Sequence, residues 1–197
     1  MSVPDMAPAA SALAPGSSEW RHHILALDPG GTTGVCMGMY RENVLEVTPY
    51  QTYVRMDGTY ALLQNFIDVP SNPFRHQTHV IYEDFSYRNR ARTGLDLTPV
   101  KLIGIIELFR ERFEPLTLFT KQSAAAGKGF FTDDKLKDLG VYVTGMQHAR
   151  DATRHLLQWA NFGAGSAFMN MEKVVVKLVE YGAVSPQERI DSDTAPD

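Results

Sequence analysis

The chain has little cysteine: Cys36 stands alone. That excludes an intrachain disulfide and a thiolate zinc cluster, and it agrees with a reducing compartment. No apolar run approaches the ~20 residues that a membrane-spanning helix needs. The first residues lack the basic start and unbroken apolar centre of a secretory signal, so a cytoplasmic protein is expected. An excess of positive charge is missing too. Nineteen basic and 23 acidic residues give a formal net charge of −4, which argues at first sight against a general nucleic-acid coat or a basic membrane-surface protein.

Sorted by position, the charge reads differently. Asp5 and Glu19 contribute −2, and Glu188, Asp191, Asp193 and Asp197 against Arg189 contribute −3, which leaves the rest of the chain at +1. The ends are also distinct in composition. Residues 1–20 are rich in Ala, Pro and Ser and read as a disordered leader; 185–197 read as a disordered acidic tail. The folded body is expected over 21–184. With 197 residues, 44% of them apolar, the chain is long enough for one domain with a real core.

Inside the body, His23–Leu27 is apolar on both faces, the pattern of a central strand covered on both sides. It runs into the tight polar turn Asp28-Pro29-Gly30-Gly31-Thr32-Thr33-Gly34. Strands follow over Val35–Tyr40 and within Val44–Val54. Gly58–Val69 has helical spacing, with Leu62, Leu63, Phe66 and Ile67 on one side, and His79–Glu83 is a fourth strand. Thr98-Pro99 reads as a cap and first turn of a helix reaching Phe113. Its apolar surface is broad, as sheet packing or a dimer contact would require. Leu116–Thr120 reads as a fifth strand, Thr132 as the cap of a short helix through Leu139, His148–Phe162 as a helix stopped by Gly163, and Ala167–Tyr181 as a last helix. The expected class is α/β, a mixed sheet flanked by helices.

Three acidic positions stand out. Asp28 closes the first strand and Glu83 the fourth, and His148-Ala149-Arg150-Asp151 opens a helix. Taken singly, each has a plain reading: a turn residue, a strand-end ion-pair partner, a helix-start residue favoured by the helix dipole. Taken together they place charge against apolar stretches, where it is costly unless paired or bound to metal. His148, Asp151 and His155 are spaced by three and four residues and share one helix face, with the small Ala152 on the same face and Arg150 and Arg154 expected elsewhere. Two strand-end carboxylates and a carboxylate–imidazole pair from one helix can meet at a point. Such hard ligands suit Mg²⁺ or Mn²⁺ rather than zinc, and two ions ~3.5–4 Å apart clamp an in-line phosphoryl displacement.

At these residues a family resemblance appears. Ile24–Gly34 resembles the first motif of RuvC-like Holliday-junction resolvases, members of the RNase H-like nuclease superfamily. Val80-Ile81-Tyr82-Glu83-Asp84-Phe85 resembles their second acidic strand. His148–His155 resembles the third motif of the phage-encoded members. The resemblance implies an RNase H-like fold with a mixed five-stranded sheet. It implies a crossover-junction endodeoxyribonuclease that uses two Mg²⁺ ions, with Mn²⁺ as substitute, and cuts four-way junctions by paired nicks as a homodimer. Asp28, Glu83, His148 and Asp151 would be the catalytic and metal-binding set, with His148 either binding metal or orienting water. Thr98–Phe113 would be the dimer helix. A phage-encoded protein of this kind would act in the bacterial host cytoplasm.

The loop after Glu83 carries Phe85, Tyr87, Arg88, Arg90 and Arg92. Arginines take phosphate contacts, and an aromatic can wedge or stack at a branch point. Lys128, in Gly127-Lys128-Gly129, is a candidate phosphate contact or a solvated lysine. This loop lacks the strand–GxxxxGK[ST]–helix pattern of a P-loop. Lys101 and Arg150 are weaker candidates. Two rival readings share the first motif: an RNase H-like nuclease for other branched DNA or structured RNA, and an actin-like ATP-dependent phosphotransferase. The latter needs two domains around a nucleotide cleft, and the chain is too short to supply both. A third rival is a non-catalytic binder of branched DNA, against which the intact set of acids argues.

Overall fold

A computed structural model describes residues 21–53, 56–67, 76–85, 97–114 and 116–180. The expected leader, 1–20, and tail, 185–197, lie outside them. Strands β1 (Arg21–Asp28), β2 (Thr33–Arg41) and β3 (Val44–Thr52) form an antiparallel meander. β2 and β3 are joined by a two-residue turn, Glu42-Asn43, with both φ angles positive (52° and 62°). That is the primed geometry whose twist matches the strands it joins. Helix α1 (Met56–Ile67) leads to β4 (His76–Asp84), α2 (Thr98–Phe113), β5 (Thr117–Ser123), the short α3 (Asp133–Asp138), α4 (Gln147–Phe162), a 3₁₀ turn (Ala164–Ala167) and β6 (Val175–Leu178).

The sheet order is β5-β4-β1-β2-β3-β6, with β4 parallel to β1, β5 parallel to β4 and β6 parallel to β3. β1 is central, and its alternation assigns the two faces. Ile24 and Ala26 point to α4, where they pack with Cys36, Ile81, Leu156 and Trp159. Leu25 and Leu27 point the other way, onto Leu63 of α1 and Ile106 and Phe109 of α2. Cys36 is fully buried, and burial pushes its thiol up to about 12, with a Thr153 hydrogen bond opposing; it packs as an apolar residue. Among the described residues, no helix is long and apolar enough to cross a membrane.

The structure corrects two sequence expectations. The last helix, expected over Ala167–Tyr181, is a 3₁₀ turn followed by β6, so the sheet has six strands where the resemblance implied five. The run Val174-Val175-Val176 is β-branched and stiff, and it prefers a pleated edge to a helix. Val175 and Val176 pair with Val44 and Leu45 of β3. Second, α2 is not capped by Thr98: Leu97 is the N-cap without a side-chain hydrogen bond, and Pro99 lies within the first turn. Thr132, by contrast, caps α3 as expected, accepting from the Lys135 N–H. The breadth of the α2 surface is as expected: the helix buries Leu102, Ile106 and Phe109 and leaves Val100 and Leu108 exposed. Sheet packing therefore uses part of its apolar surface.

Candidate active site

The pairing registers place five residues in one row across the sheet. Gln122 of β5 faces Glu83 of β4. Glu83 follows Tyr82, which faces Leu27, so it stands level with Asp28 of β1. Asp28 faces Gly34 of β2, and Gly34 faces Gln51 of β3. Period-two alternation aims this whole row at α4. The first turn of α4 lies directly over its middle. A Cβ on Gly34 would stand 1.9 Å from the His148 carbonyl oxygen, so glycine is required there for the helix to seat.

Seating α4 at this height delivers its side chains to the row. His148 Nδ1 is 2.8 Å from Asp28 Oδ2. With Nδ1–H donating to the carboxylate, Nε2 carries the lone pair. Two turns further on, His155 is completely buried. Its Nε2 is 3.0 Å from Glu83 Oε2 and its Nδ1 is 2.8 Å from Gln122 Oε1. Gln122 Nε2 donates to the His155 carbonyl at 3.2 Å. That second bond orients the amide with its oxygen toward Nδ1, so Nδ1 carries the ring proton.

Asp151 is held differently. Its Oδ1 accepts from Arg154 at 2.6 Å and its Oδ2 pairs with Lys128 Nζ at 3.2 Å. Arg154 is buried and also donates from Nε to the Phe131 carbonyl at 2.8 Å and to Asp133 Oδ1. Arg154 thus faces the site, contrary to the sequence expectation. A helix places i and i+3 on neighbouring azimuths, and the buried carboxylate at Asp151 draws the guanidinium inward. Gly127 brings the Lys128 loop against α4: its φ is +78° and a Cβ would stand 2.8 Å from the Arg154 carbonyl oxygen. The Gly127-Lys128-Gly129 segment is packed on the helix, and its cation is engaged with Asp151.

Burial pushes the Asp28 carboxyl above the ordinary aspartate range; the His148 hydrogen bond opposes this, and the charges of Glu83 and Asp151 push it further up. Three carboxylates are therefore close enough to repel one another, the situation a divalent cation relieves. The fit is incomplete. Among the described residues, no three His, Cys, Asp or Glu side chains converge as a ready-made metal cage. Asp28 and Glu83 each commit one oxygen to an imidazole and retain the other. Asp151 commits both of its oxygens to protein cations, since a buried carboxylate takes the nearest donors.

The nucleic-acid candidates scatter. Phe85 directly follows β4 and is half-buried. Tyr87, Arg88, Arg90 and Arg92 lie outside the described residues. Lys101 is exposed on the first turn of α2, on the sheet face opposite α4. Arg150 is folded back, donating to the Val143 carbonyl at 2.9 Å. Two members of the site had a sequence signal that spacing alone did not convert into a role: His155, already on the α4 face, and Gln122, which the parallel register of β5 places beside Glu83.

No family model matches the chain, and comparison with curated proteins finds no match. Solved structures do match. RuvC of Thermus thermophilus superposes with a TM-score of 0.50 at 16% identity, over 74% of this chain and 97% of that one. T. thermophilus RuvC in complex with Holliday junction substrate gives 0.48 at 13% identity, over 70% and 92%. The yeast mitochondrial Holliday junction resolvase Ydc2 gives 0.45 at 13% identity, over 74% and 80%. The chain has a RuvC-like fold.

Proposed function

We propose that the chain is a structure-selective DNA endonuclease that hydrolyses phosphodiesters with divalent metal ions and resolves four-way junctions by paired nicks. The observation that carries this reading is the level placement of Asp28 and Glu83 on neighbouring parallel strands, with α4 bringing Asp151 within electrostatic reach. Asp28, Glu83 and Asp151, with His148 through Nε2, would hold Mg²⁺ or Mn²⁺. Bound there, the metal lowers the pKa of water and neutralises charge on the leaving oxygen. The protein's own part is positional. His148 fixes one oxygen of Asp28. His155, itself fixed by Gln122, orients Glu83. Arg154 and Lys128 hold Asp151, and loading a metal there requires Lys128 to give way.

Phe85, at the end of β4, stands where a branch-point aromatic would be useful. It follows Glu83 by two positions. The exposed Val100 and Leu108 on α2 support a homodimer through that helix, which paired nicking requires. The cytoplasm is the proposed compartment.

The test is single-turnover cleavage of a synthetic four-way junction beside a fork, a flap and linear duplex, with Mg²⁺, with Mn²⁺ and with chelator. Symmetric paired nicks on the junction, dependent on metal, are expected. Preferential cutting of the fork, the flap or structured RNA would move the assignment to another RNase H-like nuclease. ATP hydrolysis without DNA cleavage would overturn it.

A further inference from the structure

Each acid of the site has one oxygen engaged by a side chain of α4: Asp28 Oδ2 by His148, Glu83 Oε2 by His155 and Asp151 Oδ1 by Arg154. Asp28 and Glu83 retain the other oxygen. Asp151 does not, because Lys128 Nζ lies 3.2 Å from its Oδ2. With Lys128 withdrawn the three acids become alike, one oxygen held by α4 and one free.

The two cations on Asp151 are not equally able to leave. Arg154 is buried and donates to Phe131, Asp151 and Asp133. The Lys128 side chain is nearly half exposed, and its ammonium sits on a flexible four-carbon stem. The backbone beneath it is fixed. Lys128 N–H donates to the Ala125 carbonyl at 3.3 Å, Phe131 N–H donates to the Gly127 carbonyl at 2.7 Å, and Gly127 rests against the Arg154 carbonyl. A half-exposed ion pair contributes little to stability, so another cation displaces Lys128 at low cost, and the released head stays tethered beside Asp151. Three carboxylates within electrostatic reach of one another repel a phosphate. Compensation by a divalent cation at Asp151 Oδ2 frees Lys128 and lifts that repulsion together.

We propose that Lys128 is an exchangeable counter-ion: it caps Asp151 in the metal-free protein and passes to a phosphate of the bound DNA once a divalent cation takes its place. This rests on the endonuclease reading above and adds an order to it. The metal-loaded protein has one phosphate contact more than the metal-free protein. The coupling is reciprocal, so DNA that draws Lys128 off Asp151 tightens metal binding by the same factor.

The experiment measures binding of a fluorescent four-way junction to wild type and Lys128→Met by anisotropy, over a series of NaCl concentrations. Each protein is titrated in chelator and at one fixed concentration of Ca²⁺, an oxygen-seeking divalent ion. In chelator the two proteins should bind equally and with the same salt slope. In Ca²⁺ wild type should bind about eightfold tighter than the variant at 0.1 M NaCl, and its log–log slope should be steeper by about 0.9, the counterion release of one phosphate contact. A deficit of the same size in chelator and in Ca²⁺ makes Lys128 a permanent phosphate contact and overturns the exchange. No deficit in either makes it a solvated lysine and overturns the exchange as well. In both cases junction binding by wild type leaves the endonuclease standing. Wild type that binds neither Ca²⁺ by calorimetry nor the junction overturns the endonuclease reading, and the exchange with it.

Discussion

His155 Nε2 stands 3.0 Å from Glu83 Oε2, and the same ring is held at Nδ1 by Gln122 Oε1 at 2.8 Å. This chain of contacts links β5, α4 and β4, and it fixes a carboxylate through a fully buried imidazole. Gln122→Leu removes both bonds that the amide makes to His155 and strands the Nδ1–H in the core. Leaving a buried donor unsatisfied costs about 1–3 kcal/mol. Urea unfolding should show a loss of that order, and cleavage should fall further than the stability loss explains, because Glu83 loses its orientation. An unchanged unfolding midpoint would mean that Gln122 does not hold the ring.

Asp28→Asn keeps the shape of the side chain and removes its charge. Cleavage should be abolished while binding to a four-way junction persists. Burial and two neighbouring carboxylates already disfavour the charged form, so the variant should unfold at the same or a higher temperature than wild type at pH 7 without metal. Millimolar Mg²⁺ or Mn²⁺ should raise the melting temperature of wild type by mass action and leave the variant nearly unmoved. A variant that still cuts at close to the wild-type rate would remove Asp28 from the metal site.

Lys128 and Arg154 hold the same carboxylate, yet they differ in burial. Lys128 is half exposed and Arg154 is buried among three acceptors. Lys128→Met should cost little stability, at most about 1 kcal/mol. By freeing Asp151 Oδ2 it should strengthen the metal-dependent rise in melting temperature. Arg154→Met leaves Asp151 and Asp133 without their shared partner and should cost about 3–5 kcal/mol. Equal effects of the two substitutions on thermal unfolding would contradict this division.

The central strand, the two faces and the strand-end acids were legible because they rest on local pattern. The unbroken apolar run Ile24–Leu27 and the charge at Asp28 are visible in one strand. His148, Asp151 and His155 share a helix face by spacing alone. What was not legible depends on register between distant strands. Gln122 looks like an ordinary polar residue of β5 until its pairing with Glu83 is known. Gly34 looks like turn chemistry, whereas its role is the close approach of α4. Strict helical faces put Arg154 away from the site, but a long side chain reaches its i−3 neighbour from the flank. The 175–178 segment reads as a helix by apolar spacing, and only the free edge of β3 explains why its valines extend.

Gly34→Ala tests the seating of α4. The atom that the new methyl meets is a backbone oxygen, at 1.9 Å, and it cannot rotate away. Overpacking of this kind costs about 1–3 kcal/mol when the neighbours yield, and here the start of the helix has to lift. Amide exchange should quicken in the first turn of α4, and cleavage should be lost together with the His148–Asp28 contact. Wild-type exchange rates in that turn would show that the helix does not rest on Gly34.

At the other end of β1, His22 and His79 form a buried imidazole pair, Nδ1 to Nε2 at 3.1 Å. Phe168 stacks on His22 with ring centroids 3.8 Å apart, and Trp159 leans on His79. Burial, with nearby histidine charge, lowers His22 to about 4 and His79 to about 3, both from 6.5. The folded protein therefore binds fewer protons than the unfolded chain below pH 6.5. The stability that this represents is present in full above that pH and is lost as pH falls toward 4 and 3, by up to about 1.4 kcal/mol per pH unit for each ring. The raised Asp28 works in the opposite sense, stabilising the fold as it takes up its proton. Urea unfolding from pH 7 to pH 5 in chelator should show falling stability in wild type and a flatter profile in the double variant His22→Phe, His79→Leu. Equal slopes in the two proteins would mean that the pair is not held neutral by the aromatic cluster around it.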